Sequence, residues 1–102
     1  INLSWSGSPE IKDPSVALNI FRILQESISN AVKYSDSKNI EINVSNKGIF
    51  SMEVKDDGRG FAMNGNINGF GIENMRKRAV SIDGKLHIKS DIGKGTQVLL
   101  EV

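Results

Sequence analysis

Glu26 and Asn30 stand four residues apart, with Lys33 three further on. Downstream, an acidic pair, Asp56-Asp57, runs into Gly58-Arg59-Gly60. These residue types suit a phosphorylated ligand that carries a metal. Magnesium keeps several waters and takes one or two protein oxygens beside phosphate oxygens, and the Asn30 amide can supply one such oxygen. Glu26 can orient a metal-bound water or act as a base, and Lys33 can offset phosphate charge. Two more glycine clusters follow, Gly69-Phe70-Gly71 before a helical pattern and Gly93-Lys94-Gly95-Thr96 before a strand. Glycine turns let a backbone approach a ligand closely, and free amides at a helix start favour phosphate. A carboxylate, an amide, a cation and these turns together point to a nucleotide with its phosphates and a metal.

Asp56 is the better candidate of the acidic pair for base recognition, because it continues a strand while Gly58 and Gly60 let the chain turn beneath a flat ligand. A carboxylate only accepts hydrogen bonds. The exocyclic amine of adenine donates one where guanine presents an oxygen, so a buried Asp56 selects adenine. Thr96 adds a hydroxyl to the same pocket. Each feature has a plainer reading beside it. Glu26, Asn30 and Lys33 can be a solvated helix face, Asp-Gly an ordinary turn, and Gly93-Lys94-Gly95 a hairpin turn. The pair Gly69 and Gly71 lacks the preceding strand and third glycine of a dinucleotide fingerprint.

The elements that must position these groups are legible in the periodicity. Ile1, Leu3 and Trp5 alternate with polar residues as a short strand. Asp13-Pro14 starts a helix, Asp13 capping the first amides and Pro14 taking the first helical position. The helix runs to about Tyr34, and Phe21, Leu24, Ile28, Ala31 and Val32, with Leu18 below, are expected to form its core-facing stripe. Glu26, Asn30 and Lys33 are expected opposite that stripe, facing away from the core. Ile40, Ile42 and Val44, then Phe50, Met52 and Val54, alternate about a turn at Asn46-Lys47-Gly48 as a β-hairpin. Residues 62–68 lack periodicity and read as a short loop. From Phe70 to Ile82 the pattern is helical, with Ile72, Met75, Ala79 and Ile82 on one face. Leu86 and Ile88 mark one further strand, and Val98, Leu100 and Val102 another. One apolar face per element gives an α+β two-layer sandwich with helices on one side of a mostly antiparallel sheet.

The chain has 102 residues, 38% hydrophobic and 25% charged, which suits one soluble globular domain spanning 1–102. A net charge of +1 gives no case for nucleic acid or for direct membrane contact. The absence of cysteine and the single histidine, His87, exclude a disulfide framework and argue against zinc. A start at Ile1 rather than Met reads as a piece of something larger.

The four motifs in this order resemble the GHKL ATPase superfamily. Glu-x-x-x-Asn at Glu26/Asn30 resembles its N box. Asp-x-Gly-x-Gly at Asp56/Gly58/Gly60, Gly-x-Gly at Gly69/Gly71 and Gly-x-Gly-Thr at 93–96 resemble its three glycine boxes. Phe-Arg-Ile-Leu-Gln-Glu at 21–26, Asn-Ala-Val-Lys-Tyr at 30–34 and Gly-Ile-Glu-Asn-Met-Arg-Lys-Arg-Ala at 71–79 look like sensor histidine kinases that work with NarL/LuxR-type response regulators. Tyr34 and Phe70 stand where histidine is common in that branch. The resemblance implies a Bergerat fold of about five strands with a short ATP lid at 62–68, and ATP with Mg2+ as cofactors. It makes Asn30 the metal ligand and, with Glu26, catalytic. It places Asn30, Lys33, Asp56, Gly58, Gly60, Phe61, Gly69, Gly71, Ile72 and Thr96 around the nucleotide. The implied chemistry is transfer of the γ-phosphoryl group to a histidine on a separate dimerisation domain, with a response regulator downstream and a cytoplasmic location in a parent that can be membrane-anchored. A serine kinase of the anti-sigma-factor kind and a nucleotide-binding module without turnover are the alternatives.

Overall fold

A computed structural model describes residues 1–8, 10–33, 39–60 and 71–102. In chain order its elements are β1 (Asn2–Gly7), α1 (Pro14–Lys33), β2 (Ile40–Asn46), β3 (Phe50–Asp56), α2 (Ile72–Ser81), β4 (Lys85–Asp91) and β5 (Gly95–Glu101). The strands form one mixed sheet in the order β1-β2-β3-β5-β4, in which β1 runs parallel to β2 and the other neighbours are antiparallel. Both helices cover the face made by Ile40, Ile42, Val44, Met52, Val54, Ile88, Val98 and Leu100, all buried. The period-two alternation therefore does what it predicts: Ile42 pairs Val54, and Val54 pairs Val98, so one face collects the apolar side chains. Among the described residues no helix is long and apolar enough to cross a membrane.

Helix α1 begins as its sequence dictates. Asp13 Oδ1 accepts hydrogen bonds from the amides of Ser15 (2.8 Å) and Val16 (3.4 Å), and Pro14 occupies the first turn, where a missing N–H costs nothing. Helix α2 ends at a tight turn in which Gly84 N donates to Ala79 O at 2.8 Å. Its predicted core face is found, with Ile72, Met75, Ala79 and Ile82 all buried. The strand read at Ile1, Leu3 and Trp5 exists, but at the sheet edge beside β2, and these three side chains stay exposed.

The expected core stripe of α1 is found only in part: Ala31 is buried and Leu24 and Ile28 pack against the core, but Leu18, Phe21 and Val32 do not. Its buried residues are Ile20, Ile23, Ser27, Asn30 and Ala31, with Leu24 and Ile28 at the margin. Leu18, Phe21 and Val32 are exposed by 52%, 53% and 64%. The reason is the second helix. Helix α2 packs along one flank of α1, and the small Ser27 admits Met75, one of the most deeply buried side chains. Ser27 tolerates burial because its hydroxyl donates to Ile23 O at 2.8 Å. The buried face is thus rotated away from the largest apolar residues. Asn30 consequently lies inside rather than facing out, Glu26 is half-buried on the α2 flank, and only Lys33 faces solvent as expected.

Candidate functional site

The two helices run antiparallel: Glu26 meets Gly71 at one end of their contact, Ser27 meets Met75, and Asn19 accepts from Arg78 at 3.3 Å at the other. The first half of α1 lies over the far end of the sheet, where Val16 and Ile20 share a hollow with Asn46, Phe50 and Val102. The second half therefore reaches the end that holds Ile40, Asp56 and Thr96, since Asn30 stands about 15 Å along the axis from Ile20. Asn30, Glu26, Asp56 and Thr96 come from three elements to one end of the fold.

On the helix side, Gly71 caps α2 with φ 65° and ψ 17°. A Cβ at this position would collide with the Glu26 carboxylate. Glu26 therefore occupies the space that glycine leaves, over the first turn of α2, where unpaired amides and the helix dipole favour negative charge. The Asn30 side-chain oxygen is buried one turn further along α1. Ile72 is spent in the core, so α2 offers a ligand its backbone amides there rather than that side chain.

On the sheet side, Asp56 ends β3 in register with Ile40 on one neighbour and Thr96 on the other. It continues the face of Met52 and Val54, and it is half-buried. Its Oδ1 accepts from Gly58 N at 2.9 Å, which closes the turn and aims the carboxylate. The backbone floor beneath is made of two glycine loops packed together. Gly95, at φ 80°, has no room for a Cβ against the carbonyl of Asp56. Gly60 is pressed likewise against the carbonyls of Asp91 and Gly95, and Gly93 N donates to Arg59 O at 2.5 Å.

The second acidic residue is employed elsewhere. Asp57 Oδ1 accepts from Asn39 N (2.9 Å) and Oδ2 from Asn39 Nδ2 (2.8 Å), which ties the entry of β2 to the exit of β3. Sequence reasoning missed Ser90. It is buried, its Oγ lies 2.8 Å from Thr96 Oγ1, and it also donates to Gly95 O at 3.2 Å. Its signal was a serine on the core-facing positions of β4, after Leu86 and Ile88. Lys33 ends α1, exposed. Phe61, Gly69, the loop at 62–68, Tyr34 and Phe70 lie outside the described residues.

Among the described residues there is no cluster of three or more His, Cys, Asp or Glu. The donors present are a buried neutral amide oxygen and, one turn away, a carboxylate. That set fits a hard cation that draws its remaining oxygens from phosphate and water.

The Bacillus subtilis signal transduction histidine-protein kinase/phosphatase DegS is 34% identical over 94 aligned positions, covering 87% of this chain and 24% of DegS. The chain thus spans about a quarter of that relative's length. In fold, it is similar to the Acinetobacter baumannii histidine kinase AdeS, with TM-score 0.77 and 19% identity over 99% of this chain and 52% of that one. It is also similar to full-length ShkA in complex with AMPPNP, with TM-score 0.71 and 19% identity over 99% of this chain and 25% of that one. Residues 15–102 match the family described as histidine kinase-, DNA gyrase B-, and HSP90-like ATPase, and the chain belongs to that family of ATPases.

Proposed function

We propose that residues 1–102 form the ATP-binding catalytic domain of a two-component sensor histidine kinase, which binds Mg-ATP and passes the γ-phosphoryl group to a histidine on a separate dimerisation domain. The observation that carries this reading is the convergence at one end of the fold of Asp56 on its glycine floor with Asn30 and Glu26 on α1. The DegS relative and the AMPPNP complex of ShkA support it.

Asp56 accepts the adenine amine through the oxygen that Gly58 does not engage, and Thr96, held by Ser90, presents its hydroxyl beside it. Gly58, Gly60 and Gly95 keep the floor thin enough for a planar base. Asn30 holds the magnesium ion through its buried amide oxygen. When bound, the ion neutralises charge on the phosphates. Lys33, Gly71 and the first amides of α2 face the phosphate chain, and Phe61 and Gly69 are assigned to nucleotide binding by their motifs alone. Glu26 at the α2 N-terminus orients the phosphates or the ion, because the acceptor histidine takes the place that water has in hydrolysing relatives. Catalysis of this kind is mainly positioning and electrostatics. The regulator downstream is of the NarL/LuxR type, and the domain works in the cytoplasm.

The test is transfer. The chain, γ-labelled ATP and magnesium are incubated with and without a helical dimerisation domain carrying the acceptor histidine. Acid-labile label on that domain is expected. Acid-stable label on serine instead would replace the reading with a serine kinase, and ATP binding without transfer would leave a nucleotide-binding module.

A further inference from the structure

Arg22, Gln25 and Glu26 of α1 and Asn74, Met75 and Arg78 of α2 line a polar groove between the helices. Its two arginines are held by neutral groups. Arg22 Nη1 donates to Gln25 Oε1 at 3.0 Å, and Arg78 Nη1 donates to Asn19 Oδ1 at 3.3 Å. Among the described residues neither lies within ion-pair distance of a carboxylate; His87 Nε2 stands 3.4 Å from Glu101 Oε1, but on the opposite face of the sheet. A guanidinium has five donors in a rigid fork. Amide partners orient each fork without cancelling its charge, which leaves donors directed at an anion from outside.

The position of the groove says which anion. Along α1 the Asn30 position, Glu26 and Arg22 follow one another at intervals of about 6 Å. A nucleotide whose base lies at Asp56 and whose phosphates lie at Asn30 and Glu26 ends before Arg22. Glu26 belongs both to the site and to the groove, so on the kinase reading the groove continues outward from where the terminal phosphate lies. Glu26, at its inner end, repels a second free anion there, so a fixed carboxylate on an incoming surface suits the outer arginines.

We propose that the α1–α2 groove is the docking seat for a carboxylate-bearing segment of the phosphoacceptor domain, engaged by Arg22 and Arg78. This rests on the kinase reading above, and Arg22 and Arg78 are positioning residues that touch the acceptor domain rather than the nucleotide.

The test titrates the labelled chain with hexaglutamate and follows the Arg22 and Arg78 side-chain NMR signals. Those signals should move and saturate. Arg22→Gln/Arg78→Gln should weaken the peptide about tenfold while ATP affinity stays within about twofold. The exposed single change Arg22→Gln, which spares the packed Arg78, should weaken it by about threefold. In the transfer assay at saturating ATP, Arg22→Gln should raise the KM for the acceptor domain and leave kcat nearly unchanged. Shifts spread evenly over Lys85, Lys89 and Lys94 would overturn the proposal. So would equal shifts with inorganic phosphate, or parallel loss of ATP affinity in the variants. A wild-type chain that binds hexaglutamate but no ATP refutes the kinase reading, whereas one that binds ATP and not the peptide refutes the groove.

Discussion

Gly71→Ala probes the joint between the two helices at the site. Gly71 has φ 65°, a left-handed conformation that costs an L-residue about 1–2 kcal/mol. The new Cβ would also run into the Glu26 carboxylate. Glu26 can rotate away, but it then forfeits its interaction with the α2 N-terminus, about 0.3–1 kcal/mol. The sum is about 1.3–3 kcal/mol of destabilisation. At ~4–8 °C per kcal/mol for a domain of this size, the midpoint should fall by about 5–24 °C. The assay is thermal and urea unfolding of the wild type, Gly71→Ala, Glu26→Ala and the double variant. Removing the Glu26 side chain makes room for the Cβ, so in that background alanine should cost only the left-handed term. The two changes should therefore couple by roughly 0.3–1 kcal/mol, at or above the few tenths tolerated between independent sites. A Gly71→Ala protein within about 0.5 kcal/mol of the wild type would refute the backbone argument. Strict additivity would refute the contact.

Asp56→Ala should weaken ATP binding about 10- to 100-fold, the loss of one hydrogen bond to a charged group, and calorimetry of the wild type should show GTP binding far below ATP. Equal affinity for the two nucleotides in the native chain would sink the adenine assignment. On the proposed role of Asn30 as magnesium ligand, Asn30→Ala should weaken Mg-ATP more than metal-free ATP; equal losses would make Asn30 a structural amide. The chain alone should not label itself on histidine, because His87 lies on the sheet face opposite the helices, beside Glu101 at 3.4 Å, and an in-line acceptor must reach contact with the phosphate. Label on this chain that His87→Ala abolishes would overturn that argument.

Much of this architecture is written in local pattern. The hairpin at Asn46-Lys47-Gly48, the cap at Asp13 and the buried face of α2 each depend on neighbours within a few residues, and each is where periodicity puts it. The helix α1 is different because its apolar residues are too many for one stripe. Leu18, Phe21 and Val32 compete with Ile20 and Ile23 for the core, and hydrophobicity alone prefers the larger set. What decides between them is Met75, nearly fifty residues away, which needs a small neighbour and finds it in Ser27. The same long-range requirement buries Asn30, a residue whose polarity argues for solvent when it is read alone. The motifs place Glu26 and Gly71 in separate boxes, yet the carboxylate of the first fills the space left by the second. Ser90 is also clear only through its partner: a serine on an apolar face is an error in the alternation until Thr96 stands 2.8 Å away. Spacing therefore predicts which residue types the site contains, while the burial that makes Asn30 and Ser90 directional comes from packing between distant segments. Polar residues at positions where the pattern calls for apolar ones are accordingly the places to test first for function, once those explained by packing, as Ser27 is, are set aside.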